Sequence, residues 1–239
     1  MHKIFISTLL SLIASTGFAT DKAPFPDFTA EYTLYKAGLR AAVSVVTLKR
    51  TSPTSWSYKR KASPVGIVSV FRSDKISDHS DWSLVNNAIQ VKQYTFSHKR
   101  GSKQKKYNRF VYNWKTNTAS SQVKDSKKTI KITPVAIDKF TLQLRIMRDM
   151  AQNGKPAAQY FVTDKHKLKS WVFTISGKEK IKIGKEMLDT VILKRTRKNK
   201  KRTTYLYLSK KYRYLPVKVL HVEKNGSKFY MLLTKLSGL

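Results

Sequence analysis

The sequence predicts a mainly β fold: an antiparallel open barrel or β-spiral of roughly a dozen strands with one central amphipathic helix packed against it. Three observations carry that expectation. Short segments rich in Val, Ile, Tyr, Phe and Trp alternate apolar and polar residues between turn signals. One segment, at about 138–153, has instead the period of a helix. Strand–helix–strand alternation, the mark of a parallel sheet, does not occur.

The chain opens in the manner of a secretory signal peptide. Lys3 supplies a positive charge, residues 4–14 form a short apolar run, and Gly17 and Ala19 offer small residues for cleavage. The expected division is a signal peptide at 1–19 and a single β-rich domain at 20–239. The apolar run is shorter than the roughly 18 residues that a spanning helix needs. With no cysteine to carry lipid, a lipoprotein is excluded too. The expected location is the periplasm, in soluble form.

In 28–35, Ala30, Tyr32 and Leu34 share one face, Gly38 turns the chain, and 41–48 returns as a Val-rich strand. Trp56, Tyr58 and Ala62 mark a third strand, ended at Ser63-Pro64. Residues 67–71 read as a further strand, as does the segment around Trp82 and Leu84. Asn86-Asn87 signals a turn, because asparagine tolerates positive φ. Residues 89–98 and 107–114 form a long hairpin, and the phase slip between Val91 and Tyr94 implies a bulge. Residues 190–194 and 203–208 form a second long hairpin. Asn225-Gly226 is the strongest signal for a two-residue type I′ turn.

Between the two β halves lies the helical segment. Asp138 is expected to cap it, and Gly154 to end it in the left-handed conformation. Phe140, Leu144 and Met147 form the apolar face that plugs the barrel, while Thr141, Arg145, Arg148 and Gln152 are expected on the wet face.

The formal net charge is +34, from 48 Lys and Arg against 14 Asp and Glu. Such a surface attracts polyanions and anionic membranes. A quarter of the 48 Lys and Arg cluster at two predicted hairpin tips. Lys99, Arg100, Lys103, Lys105 and Lys106 make the first anion-binding candidate. Lys194, Arg195, Arg197, Lys198, Lys200, Lys201 and Arg202 make the second. The expected partner is an anionic envelope component: lipopolysaccharide, a phospholipid surface or an acidic polysaccharide. Nucleic acid fits the charge, but no recognised nucleic-acid motif accompanies it. Tyr107, Phe110, Tyr112 and Trp114 follow the first tip, and Tyr205, Tyr207, Tyr212 and Tyr214 follow the second. Exposed aromatics among cations would stack sugars or bases.

Catalytic chemistry has little sequence support. Phosphate-binding glycine loops and the GxSxG elbow are absent, and without cysteine there is no thiolate site. His79, His98, His166 and His221 show no metal-ligand spacing, and no cofactor or metal is expected. The one acidic constellation is Asp74, Asp78, His79 and Asp81, which would need to converge in space to serve a hydrolase. The alternative to anion binding, ahead of a hydrolase, is periplasmic carriage of a lipid or lipoprotein acyl chain in the lumen, gated by Phe140, Leu144 and Met147.

Several short motifs together resemble one family. They are Phe28-Thr29-Ala30-Glu31-Tyr32 with Gly38, and Ser63-Pro64-Val65-Gly66 before an aliphatic stretch. Asp138 opening a helix with Leu144-Arg145 is another. The last is Tyr205-Leu206-Tyr207-Leu208 followed by Tyr214-Leu215-Pro216-Val217-Lys218. This pattern resembles the bacterial domain of unknown function 3108. The resemblance implies an exported, mainly β protein, often periplasmic, with no established catalytic residues. The lysine load is a departure from the family, so an anionic partner is inferred from this chain alone.

Overall fold

A computed structural model describes residues 24–197 and 200–239. The expected signal peptide at 1–19 lies outside the described residues. Strands β1 (Phe28–Lys36), β2 (Leu39–Ser52) and β3 (Ser55–Pro64) lead to a one-turn helix, α1 (Ile67–Phe71). A meander follows: β4 (Asp74–Val85), β5 (Ala88–Arg100), β6 (Lys103–Asn113), β7 (Thr118–Val123) and β8 (Ser126–Lys131). A two-residue β9 (Ile137–Asp138), helix α2 (Leu142–Asn153), β10 (Tyr160–Asp164) and β11 (Lys167–Trp171) form the middle. The chain ends with β12 (Thr174–Ile183), β13 (Glu186–Arg197), β14 (Lys200–Ser209), β15 (Leu215–Val222) and β16 (Lys228–Ser237).

Thirteen of these strands form one sheet, ordered β12-β13-β14-β15-β16-β1-β2-β3-β4-β5-β6-β7-β8. Every ladder in it is antiparallel. β8 and β12 are its two edges, so the sheet is an open barrel, as the sequence predicts. The halves meet along β1 and β16, where Thr29 faces Ser237. Tyr32 adds a long-range tie by donating its hydroxyl hydrogen to the Pro216 carbonyl at 3.0 Å. β9, β10 and β11 make a small separate sheet, with β9 parallel to β10.

Alternation explains the core. Leu48, Tyr58, Ser80 and Tyr94 are partners across adjacent ladders and share the face turned to α2. Trp56 and Trp82 pair on that face and stack at 4.5 Å. The expected bulge is Lys92, because Asp81 pairs with Gln93 while Trp82 pairs with Val91. Without it, Val91 and Tyr94 could not both point inward. Gly154 ends α2 at φ 67°, and its amide donates to the Met150 carbonyl at 3.0 Å.

Several local expectations are corrected. Residues 67–71 form α1, not a strand. Gly66 adopts φ 59°, ψ −146°, which turns the chain out of β3, and Ser69 Oγ donates back to the Gly66 carbonyl at 2.7 Å. The helical segment starts at Leu142, not at 138. Asp138 sits in β9 and caps the turn before the helix, since its Oδ1 accepts from the amides of Phe140 (2.7 Å) and Thr141 (2.8 Å). The type I′ geometry falls on Asn86-Asn87, with φ 47° and 57°, between the paired Val85 and Ala88. At 223–227 the Gly226 amide donates to the Glu223 carbonyl and only Gly226 is left-handed, which is a three-residue hairpin loop. Among the described residues no helix is long and apolar enough to cross a membrane.

The wet face of α2 is narrower than its pattern implies. Thr141 and Arg148 are both buried. Arg148 donates to Asn87 Oδ1 at 2.5 Å, in the β4–β5 turn. Arg145 donates to Asp149 Oδ1 at 3.1 Å, and the Asp149 Oδ2 accepts from Tyr160 at 2.9 Å. Removing Arg148 would leave Asn87 Oδ1 without this donor.

Candidate functional site

An antiparallel meander sends alternate turns to opposite ends of the sheet. The β1–β2, β3–β4, β5–β6, β7–β8, β13–β14 and β15–β16 connections consequently share one end. The β5–β6 and β13–β14 hairpins that carry the two basic runs both turn at that end, which no local pattern could reveal. At the first, Arg100 pairs with Lys103 around Gly101-Ser102, and Lys105 is the extra residue of a second bulge. Lys99, Lys103, Lys105 and Lys106 are exposed. Arg100 donates from Nε to Asp74 Oδ1 at 3.0 Å, and His98 Nε2 lies 2.6 Å from the same oxygen. Those hydrogen bonds hold the Asp74 carboxyl below its ordinary range.

The second run is mostly strand, not a loop. β13 continues to Arg197 and β14 begins at Lys200. Lys194 and Arg195 are half-buried, and the Arg195 guanidinium lies 3.3 Å from the centre of the Trp171 ring. Arg202 is held by Glu223 through Nε at 2.8 Å and Nη2 at 2.7 Å. These three do not project freely into water as expected. Lys198, and the side chains of Arg197, Lys200 and Lys201, lie outside the described residues.

The acidic constellation does not converge. All four residues lie on β4, where alternation sends Asp74 and Asp78 to one face and His79 and Asp81 to the other. Asp78 is buried, with Oδ2 accepting from Arg60 and Oδ1 from Tyr94 at 2.7 Å. Ser57 Oγ, His79 and Asp81 superficially suggest a nucleophile relay. However, Ser57 Oγ and Asp81 Oδ1 both lie 2.9 Å from the same imidazole nitrogen, Nε2. A relay needs the carboxylate on one ring nitrogen and the hydroxyl on the other. The hydrolase expectation therefore loses its geometry.

The sequence missed a polar cluster beneath α2. Ser80 Oγ donates to Asp138 Oδ2 at 2.8 Å, and Thr141 Oγ1 donates to Ser80 Oγ at 2.7 Å. All three residues are fully buried, and the donors to Asp138 are neutral. Burial pushes the Asp138 carboxyl above its ordinary range. The folded protein then holds this proton more tightly than the unfolded chain does. The resulting stability is full below the unfolded carboxyl pKa and is lost as pH rises through the raised folded value. Asp138→Asn keeps the acceptor for the Phe140 and Thr141 amides and removes the titration. Thermal melts of variant and parent from about pH 4 to about pH 8 should diverge in the variant's favour as pH rises. Parallel curves would reject a proton-coupled Asp138.

Phe140, Leu144 and Met147 are buried between α2 and the sheet. Leu144 and Met147 have no exposure, and the Phe140 ring stacks on Tyr58 at 4.0 Å. These side chains fill the space that the acyl-carrier reading needs open. Hollows lie elsewhere. One of about 440 Å³ adjoins the end of α2, by Met150, Gly154 and Tyr214. Another, of about 650 Å³, lies where β12 curls over β15 and β16. Ile181, Leu220 and Leu232 contribute its apolar lining, and Lys180, Lys182 and Lys228 its basic lining.

None of the expected platform aromatics is fully exposed, and three of them are core. Phe110 and Tyr112 are buried, and Trp114 Nε1 donates to the Val91 carbonyl at 2.8 Å. Tyr207 is buried too, while Tyr212 donates to Glu186 Oε2 at 3.1 Å. His166 and His221 are paired with Ser121 and Thr204 hydroxyls at 3.0 and 2.8 Å. Among the described residues no group of three or more His, Asp or Glu side chains is placed to hold a metal ion.

Comparison with curated proteins gives no match. Among solved structures, the chain is similar to a beta-barrel-like protein of domain of unknown function DUF1849 from Brucella abortus. The identity is 9%, the TM-score 0.57, and the match covers 90% of this chain and 98% of that one. This likeness supports the open-barrel fold. A candidate lipoprotein from Parabacteroides distasonis aligns over 90% of this chain and 98% of its own at 12% identity, with a TM-score of 0.32 too low to carry an argument. The sequence pattern of the DUF3108 proteins of unknown function matches residues 28–234, and the chain belongs to that family.

Proposed function

We propose that this is an exported, periplasmic protein that binds without catalysis, engaging an anionic component of the cell envelope through basic hairpin tips. Lipopolysaccharide, a phospholipid surface and acidic polysaccharide share the chemistry required. What supports the reading is that Lys99, Lys103, Lys105 and Lys106 are exposed at the end of the sheet to which the β13–β14 hairpin also turns. Like charges on neighbouring strand ends repel one another and attract a polyanion. Nearby Asp74 and Glu223 are already tied to Arg100 and Arg202, so they neutralise little of the remaining charge.

The test replaces Lys99, Lys103, Lys105 and Lys106 with serine and measures retention on lipopolysaccharide and on heparin. At about 50 mM salt the variant should lose several-fold in retention, and the parent should lose most of its own at about 500 mM. Equal retention of both proteins, insensitive to salt, would overturn the reading.

A further inference from the structure

Three side chains stand out against the packing of the rest. Leu39 is 62% exposed, Val70 76% and Phe71 79%, the highest values among the exposed large apolar side chains of the described residues. They lie together. Leu39 opens β2, and Val70 and Phe71 close α1, which sits against the start of that strand. The Val65 amide donates to the Ala41 carbonyl at 3.2 Å, and a side chain added at Gly66 would meet the Arg40 carbonyl at 4.0 Å.

This apolar cluster is at the basic end of the sheet. The Gly101 amide donates to the Ser73 carbonyl at 3.4 Å, which sets the β5–β6 tip beside the exit from α1. Arg40, Arg72, Lys75, Lys99 and Lys103 are all exposed around it. Water is a poor solvent for Leu, Val and Phe side chains, and a soluble polyanion offers them nothing better. The interface of an anionic bilayer satisfies both parts at once. Its headgroups meet the cations, and its acyl boundary takes the apolar tips.

We infer that this end of the sheet docks on an anionic lipid bilayer, with Leu39, Val70 and Phe71 inserted among the lipids and the surrounding Lys and Arg on the headgroups. The inference rests on the proposed anionic partner and narrows it to a membrane surface. Insertion makes the attachment depend on apolar area as well as on charge, so a residue of binding persists at high salt.

The chain has no cysteine, so a single introduced thiol reports one site. The experiment labels Val70→Cys with an environment-sensitive nitrobenzoxadiazole dye, and Lys115→Cys, in the β6–β7 turn at the opposite end, as the control. The probe is a vesicle of phosphatidylcholine with about 30 mol% phosphatidylglycerol, compared with pure phosphatidylcholine. On the anionic vesicles the Val70 label should shift blue and be quenched by nitroxide on the acyl chains, while the Lys115 label stays as in water. The triple variant Leu39→Ser, Val70→Ser, Phe71→Ser should bind these vesicles at least about tenfold more weakly. Its melting should match the parent, because the three side chains contribute little to the core. Binding with no shift at Val70 and no loss in the triple variant overturns insertion and leaves attraction by charge standing. Retention on heparin without any vesicle binding also overturns the membrane inference and spares the broader one. Retention on neither overturns both.

Discussion

Leu144→Ala is expected to cost about 2 to 5 kcal/mol of folding stability, the range for deleting a buried leucine where the surroundings cannot collapse. The site gives little room to relax. Leu144 is fully buried in a core that includes Met147 and Ile146 of its own helix, and Trp56, Tyr58 and Trp82 of the facing strands. The loss would take a large part of the stability of a typical domain. Leu144→Asp should be worse, because it adds a buried carboxylate to a region where Asp138 already depends on neutral donors. Gln152→Ala, on the exposed end of the same helix, should change stability by less than about 0.5 kcal/mol. Urea unfolding of the three variants decides the point. A Leu144→Ala protein as stable as the parent would mean that α2 is an appendage.

Arg60→Ala is expected to cost about 3 kcal/mol, near the lower end for breaking a buried ion pair. The pair bridges β3 and β4: Arg60 donates to Asp78 Oδ2 from Nε at 2.8 Å and from Nη2 at 2.5 Å. Asp78 is only 4% exposed, so removal of the cation leaves a charge that water cannot reach. Arg60 itself is 28% exposed, which limits what the intact pair contributes and places the estimate low in the range. The guanidinium also lies 5.7 Å from the Phe140 ring, so the loss extends to the contact between sheet and helix. Arg60→Ala with Asp78→Asn should recover part of the loss, because the amide needs no counter-charge and can still accept from Tyr94. If the double variant is as unstable as the sum of the two single ones, the pair is not the source of the effect.

The sequence by itself determined the elements and their inward faces. Alternation put Ala30 and Tyr32 on one face, which is buried, the phase slip between Val91 and Tyr94 located the bulge, and Gly154 marked the helix end. Each is a short-range property: strand and helix periods decide which side chains share a face, and positive φ restricts which residue can sit at a turn. The DUF3108 membership was legible in the same way, from short motifs spread along the chain. It failed at 67–71, where a strand-like apolar run follows a glycine that redirects the backbone into α1.

The tertiary structure decided everything that depends on who stands beside whom. Arg148 lies on the expected polar face of α2, yet it is buried because the Asn86-Asn87 turn lies against it. Asp78 and His79 are neighbours in sequence and on opposite faces of β4, so the acidic constellation separates. Arg202 meets Glu223 only because β14 pairs with β15. The β1–β16 ladder joins segments at opposite ends of the chain, a choice that no local pattern encodes. The candidate site belongs to this second class. A meander alternates its turns between two ends, and strand order alone brings Leu39, Phe71, Lys99 and Lys103 to the same one.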